Sequence, residues 1–252
     1  KTQTQKKLVF GLGQTGYSCV RFLVHQGFDV VVFDTRKNPP LLETLYREFP
    51  SIEVKLETMD EGLFDNIDQI VLSPGVSLKC KELASAIEKK IDIVGDIELF
   101  ALNAKAPIIA ITGSNGKTTT TTLVGEILKA AGLTVNIGGN IGTPVLELLD
   151  KETPDYYLLE LSSFQLETTR HLTPFIAVIL NISADHMDRY DNLNDYAATK
   201  LSILNNATNK LINIDDHWLK NHTSTIGEFI GFAENSSTRN LYSLGSTRAN
   251  CG

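Results

Sequence analysis

The chain contains no apolar run near the roughly 18 residues that a membrane-spanning helix requires, which excludes a helical span. Cysteine is scarce. Cys19, Cys80 and Cys251 are odd in number and far apart, so they make neither a zinc pattern nor a disulfide framework. Such usage fits a reducing cytoplasm, and a cytoplasmic protein is expected. Basic charge is also short. Twenty-three Lys and Arg face 30 Asp and Glu, a net charge of −7, with no basic cluster. That argues against nucleic acid as a partner, since neutralising phosphates needs grouped Lys and Arg. Internal repeats and low-complexity tracts are missing too. The first seven residues are polar and hold three lysines, and the apolar stretch after them is short and glycine-rich. They introduce a first strand and not a signal peptide.

What is present is an ordinary globular composition, 42% hydrophobic and 21% charged, able to bury a core. Apolar runs alternate with helical patterns, which predicts an α/β fold with a mostly parallel sheet. Strands are expected at Leu8–Phe10, Val30–Phe33, Gln69–Leu72, Ile91–Val94, Ile108–Ile111, Thr134–Ile137, Tyr156–Leu161, Ile176–Ile182 and Leu211–Ile214. Helices are expected at Ser18–His25, Leu83–Lys89 and Leu193–Leu204, with Asp96 capping a short one. A break near Asn103–Pro107 places a domain boundary there, giving domains 1–102 and 103–252. The polar end, Ser246–Gly252, shows no helix or strand signal and reads as a loop edge or a vector remnant.

Two glycine-rich turns carry the chemistry. The first, Gly11-Leu12-Gly13-Gln14-Thr15-Gly16, follows a strand and opens a helix. This is the dinucleotide fingerprint, where glycines let backbone approach a phosphate at a helix N-terminus. Asp34, ending the second strand, is where an NAD enzyme would hold a ribose, but no hydride-transfer site is visible downstream. A tight turn without ligand is the other reading of these glycines. The second turn, Thr112-Gly113-Ser114-Asn115-Gly116-Lys117-Thr118-Thr119, follows an isoleucine-rich strand. Residues Gly113 to Thr119 form an expected ATP-phosphate cradle, with Lys117 reaching the β/γ-phosphates and the Thr118 hydroxyl available to Mg²⁺. Ile111 stands where the strict P-loop pattern has glycine, so the loop is a variant.

Further polar residues fall at strand ends, the edge where open α/β sheets bind ligands. Asn140 lies in Gly138–Gly142, Glu160 ends an apolar strand, and Asp185-His186 follows another. A carboxylate and an imidazole near nucleotide phosphates suit Mg²⁺. Lys200 falls on the apolar stripe of its helix, and spacing alone favours a lysine that covers apolar surface with its stem. His25, His171, His217 and His222 lack such context.

Together these segments resemble the Mur ligases of peptidoglycan synthesis. The resemblance rests on GLGQTGYS (11–18), DTR (34–36), SPG (73–75), GDIELF (95–100), TGSNGKTT (112–119), GGNIG (138–142), LELSSFQLE (159–167), DHMDRY (185–190) and the lysine of AATK (197–200). It runs from about residue 8 to about residue 215. GDIELF, LELSSFQLE and DHMDRY point to the branch that adds D-glutamate. The resemblance implies a Rossmann-like first domain that holds a UDP-sugar in place of NAD, followed by a P-loop-type ATPase domain. Gln14, Thr15, Thr35 and Arg36 would contact the uridine end, Ser73 and Gly75 the rest of the substrate, and Asn140 substrate or phosphate. Lys117, His186 and Lys200 would carry catalysis. Thr118 and Glu160 would hold one Mg²⁺, and His186 with a carbamylated Lys200 a second.

The implied reaction joins D-glutamate to UDP-N-acetylmuramoyl-L-alanine through an acyl phosphate, with ATP consumed and ADP released. The expected partners are these small molecules, acting on a monomer. The sequence stops short of the third, amino-acid-binding domain that the resemblance implies, so the chain alone is expected to be inactive. Two other readings are a non-catalytic nucleotide-binding module and a folylpolyglutamate-synthase-like ligase, against which the GLGQTG domain argues.

Overall fold

The computed structural model describes residues 5–59 and 62–233. Cys251 and the expected polar end Ser246–Gly252 lie outside the described residues. The fold is α/β, divided into two compact units. The first is built from the chain up to Asn103 together with Pro144–Lys151 and Thr168–Arg170. The second is built from Ala104–Thr143, Glu152–Glu167 and the chain from His171 onward.

In the first unit the strands are β1 (Lys6–Phe10), β2 (Asp29–Asp34), β3 (Glu53–Leu56), β4 (Gln69–Leu72) and β5 (Asp92–Val94). All pair in parallel in the order β3-β2-β1-β4-β5, with Leu8 level with Val31 on one side and Ile70 on the other. Leu8, Val9 and Phe10 are all buried, so both faces of the central strand are covered, as a parallel sheet requires. One face packs Phe10, Phe33, Ile70 and Leu72 with Phe64 and Leu83. The connecting helices are α1 (Gln14–His25), α2 (Leu42–Glu48), α3 (Ala84–Glu88) and α4 (Asp96–Ala101). The 3₁₀ turn Val145–Leu148 packs against α1 and α4 and buries Val145, Leu146 and Leu148. The Arg170 guanidinium bonds Asp92 at 2.6 Å, and its backbone N–H bonds the Glu98 carboxylate at 2.7 Å.

The second unit holds β6 (Ile108–Thr112), β7 (Val135–Gly139), β8 (Tyr156–Glu160), β9 (Ile176–Ile179), β10 (Asn209–Asn213) and β11 (Ile230–Phe232). They form a second all-parallel sheet, ordered β11-β10-β9-β6-β8-β7. Central β6 is buried along its length, and Ile109, Ile111, Leu158 and Val178 pack with Val124 and Leu128 of α5 (Lys117–Ala130). The remaining helices are α6 (Ser163–Leu166), α7 (Leu193–Leu201), α8 (His217–Asn221) and α9 (Thr223–Ile226).

Several expectations are corrected. Gly95, not Asp96, holds the cap position of α4, and Asp96 is its first residue. The strand expected to run to Ile182 ends at Ile179. The helix expected to reach Leu204 ends at Leu201 and continues as a 3₁₀ turn. The sequence reading passed over α2, β3, α6, α8, α9 and β11. Among the described residues no helix is long and apolar enough to cross a membrane.

Candidate active site

In the first unit the chain order reverses between β1 and β4, the place where such sheets bind ligands. The glycine turn after β1 and Ser73-Pro74-Gly75 after β4 meet there. The Ser73 hydroxyl donates to the Gly11 carbonyl at 2.8 Å. Buried Asp34 is fully engaged by the protein itself. One oxygen accepts the Leu12 N–H at 2.7 Å and an Arg36 guanidinium nitrogen at 2.7 Å; the other accepts the Arg36 backbone N–H and Nε. Burial alone would raise this carboxyl, but the Arg36 and backbone donors outweigh it and hold the group below its ordinary range. Asp34 thus fastens the glycine turn to the end of β2. Of the residues expected to meet substrate, Gln14, Thr35 and Gly75 are exposed and Thr15 is half-buried, while Arg36 and Ser73 are committed to Asp34 and Gly11.

In the second unit the loop after β6 opens α5. Gly116 caps the helix at φ +77°, a conformation that favours glycine. The loop is tied down before any ligand is considered. The Ser114 N–H donates to the Asn181 carbonyl at 3.0 Å. Asn115 and the Asn181 side chain exchange two bonds: the Asn115 N–H donates to Asn181 Oδ1 at 2.8 Å, and Asn181 Nδ2 donates to the Asn115 carbonyl at 3.0 Å. The Ser114 hydroxyl meets the Ser183 backbone and the Tyr196 hydroxyl. The amides of 114 and 115 are therefore scaffold. The Lys117 ammonium bonds the carbonyls of Gly113 (2.9 Å) and Ser114 (3.0 Å).

Glu160, at the end of β8, is 1% exposed. Its two oxygens accept from Thr118 Oγ1 and Asn140 Nδ2, each at 3.0 Å. Thr118, Asn140 and Glu160 thus converge beside the loop that opens α5. The Thr118 hydroxyl and the buried Glu160 carboxylate are oxygen groups that suit Mg²⁺, while Asn140 turns its NH2 to the same carboxylate.

Lys200, on α7, is 2% exposed and donates to the Gly113 carbonyl at 3.0 Å. Burial first and the Lys117 charge second lower its pKa to about 7, with Asp185 partly opposing them. An ammonium does not suit a cation site, so Lys200 fits one only in another chemical form. His186 lies apart from this lysine's contacts. Its ring packs on Phe164, 4.7 Å between centroids, and its Nε2 is 3.5 Å from an Asp185 oxygen. Among the described residues no three His, Cys, Asp or Glu side chains gather as a metal cluster.

The sequence reading missed Asn181, Ser183, Tyr196, Glu167 and Arg189. Asn181 had one local signal, a polar residue just past a buried strand. Tyr196 had another, one turn before Lys200 on the same helix stripe.

A family model described as the Mur ligase middle domain matches residues 111–247, and one described as the Mur ligase MurD-like, N-terminal domain matches residues 5–95. The match thus continues past residue 215, where the sequence reading had ended the resemblance. UDP-N-acetylmuramoylalanine--D-glutamate ligase of Marinobacter nauticus is 50% identical over 212 residues, 84% of this chain and 47% of that protein. The enzyme of the same name from Pseudomonas syringae is 50% identical over 83% of this chain and 47% of its own length. The chain spans about half the length of the curated relatives it matches. Among solved structures, UDP-N-acetylmuramate:L-alanyl-gamma-D-glutamyl-meso-diaminopimelate ligase from Neisseria meningitides superposes with a TM-score of 0.61 at 18% identity. That match covers 92% of this chain and 78% of the other, and shows a shared fold.

Proposed function

The chain belongs to the Mur ligase family, and from that premise we propose that it serves the ATP-dependent joining of D-glutamate to UDP-N-acetylmuramoyl-L-alanine, a cytoplasmic step of peptidoglycan precursor synthesis. The observation that carries this reading is the meeting of Lys117, Thr118, Asn140 and buried Glu160 at one edge of the second sheet. The names of the half-identical relatives supply the substrates.

In the first unit Gln14, Thr15, Thr35 and Arg36 receive the uridine end, and Ser73 and Gly75 the muramoyl part. Asp34 acts by shaping the turn. In the second unit residues 113–119 cradle ATP, the N-terminal amides of α5 facing phosphate. The substrate carboxylate attacks the γ-phosphorus, giving an acyl phosphate and ADP. The amine of D-glutamate then attacks the acyl carbon, phosphate leaves, and an amide forms. The Lys117 ammonium stabilises charge on the transferring phosphoryl group. Thr118 and Glu160 would hold one Mg²⁺, which when bound neutralises phosphate charge. Asn140 steadies Glu160 and presents its amide to substrate. His186 and Lys200 would serve a second ion, Lys200 as a carbamate. Its neutral amine adds to CO₂, forming an N–C bond and losing a proton, and the buried amine becomes an anion.

Calorimetry of the chain with Mg·ATP, UDP and NAD tests this. Mg·ATP and UDP are expected to bind and NAD not to. Lys117→Ala is expected to weaken ATP tenfold to over a hundredfold, the effect of losing one charge-assisted contact of roughly 1.5–3 kcal/mol. Tighter binding of NAD than UDP, or an unchanged ATP affinity in a folded Lys117→Ala protein, overturns the reading.

A further inference from the structure

The segment that carries His186 is exposed from Ser183 to Asp188, yet one end is fastened by a part-buried ion pair. Arg189 bonds Glu167 through both arms, NH2 to Oε2 at 2.6 Å and Nε to Oε1 at 3.2 Å. Their side chains are 11% and 13% exposed. A pair this far withdrawn from water loses part of its Coulomb gain to desolvation. Its contribution therefore lies in geometry more than in stability.

The geometry leads to His186 by two routes. The Arg189 guanidinium carbon lies 4.1 Å from the centroid of the Phe164 ring, and Phe164 in turn carries the His186 imidazole at 4.7 Å. The Arg189 backbone N–H also donates to the His186 carbonyl at 2.9 Å. Phe164 sits on a firm base, because α6 begins in a reciprocal capping box between Ser162 and Gln165. His186 itself adopts φ +54°, a left-handed conformation that a non-glycine residue keeps only when its surroundings hold it.

We propose that Glu167, Arg189 and Phe164 are positioning residues that fix the orientation of the His186 imidazole. Glu167 aims the guanidinium, the guanidinium and Phe164 form a stack, and the stack sets the ring. The link to catalysis rests on the function proposed above; the orientation itself does not.

Two measurements keep those apart. The first is the NMR position of the His186 ring protons, which Phe164 moves away from that of an exposed histidine. Arg189→Lys, Arg189→Ala and Glu167→Gln are each expected to return it at least halfway, with the methyl signals of Ile111 and Leu158 unmoved. The second is Mn²⁺ affinity in the presence of ATP, read by water-proton relaxation. Arg189→Ala is expected to weaken it about tenfold, the lower range for losing a ligand's supporting partner, and His186→Ala at least as much. The double variant should be no weaker than His186→Ala alone, because the arginine acts through the histidine. Unmoved ring protons in all three variants overturn the proposal, as do losses that add. If the wild-type chain takes up no Mn²⁺ with ATP, the function reading fails and the ring position alone decides the clamp.

Discussion

Lys117 and Lys200 donate to one acceptor, the Gly113 carbonyl oxygen, at 2.9 and 3.0 Å. One of these ammonium groups is buried, and its pKa is drawn down from 10.5 to about 7 by burial first and by the other lysine second. In an unfolded chain Lys200 stays charged up to about pH 10. Between about pH 7 and 10 the unfolded state therefore binds more protons than the folded one, and stability rises with pH. The full span is of order 4 kcal/mol at about 1.4 kcal/mol per pKa unit. Urea titrations in carbonate-free, metal-free buffer should show wild type gaining on Lys200→Met across this window. Parallel pH profiles of the two proteins would mean that Lys200 is not held neutral.

The same shared carbonyl couples the two lysines. Removing the Lys117 charge takes away one of the causes that depress Lys200. In Lys117→Met the pH at which stability begins to climb should move upward. The difference is read as the midpoint of the wild-type-minus-Lys200→Met profile, measured in each background. A midpoint that stays put would show that the Lys117 charge does not reach Lys200.

Much of this arrangement could be read from residue order. Buried strands such as Ile108–Thr112 show as unbroken apolar runs, and the residues just past them mark the ligand edge, which brought Lys117, Asn140 and Glu160 together in advance. Strand β3 escaped because Glu53-Val54-Lys55-Leu56, although it alternates, is only four residues long and lies at the sheet edge, too short a pattern to stand out. The hold of Asn181 on the loop before α5 was hidden for another reason. It spans 66 residues of sequence, and a side-chain amide that mimics a strand's backbone leaves no periodic trace. The Glu167–Arg189 clamp is likewise a long-range pair of ordinary charged residues. The Lys200 stripe was visible, but not the carbonyl it meets.

Asp34 offers a second titration with the opposite sign. Its folded pKa is lowered, so the stability it contributes is complete above its unfolded value near 4 and disappears as the pH falls through the folded value. Asp34→Asn should flatten the acid side of the stability profile of the first unit. Asp34→Ala should cost roughly 1.5–3 kcal/mol near neutrality, through loss of charge-assisted bonds to Leu12 and Arg36. Neither change should create or remove NAD binding. An acid limb as steep in Asp34→Asn as in wild type would refute this account of the turn.

The glycines of the first turn are not equivalent, and alanine separates them. A Cβ on Gly16 would lie 1.8 Å from the Gly11 carbonyl oxygen and 2.9 Å from the Ser73 hydroxyl, so backbone has to move. A Cβ on Gly13 meets nothing within 4 Å, and that residue's φ of −95° is open to alanine. Gly13→Ala should cost at most about 1 kcal/mol, the penalty for alanine at a helix cap. Gly16→Ala gains about 1 kcal/mol of helix propensity but overpacks the turn, a loss of about 3 kcal/mol or more. Because the collision falls on the strand-to-helix turn itself, UDP affinity should drop with Gly16→Ala and survive in Gly13→Ala. Urea unfolding and UDP calorimetry on the two variants measure both effects. Equal stability and equal UDP affinity in the pair would mean that the close approach of α1 to the Gly11 carbonyl has no part in forming the site.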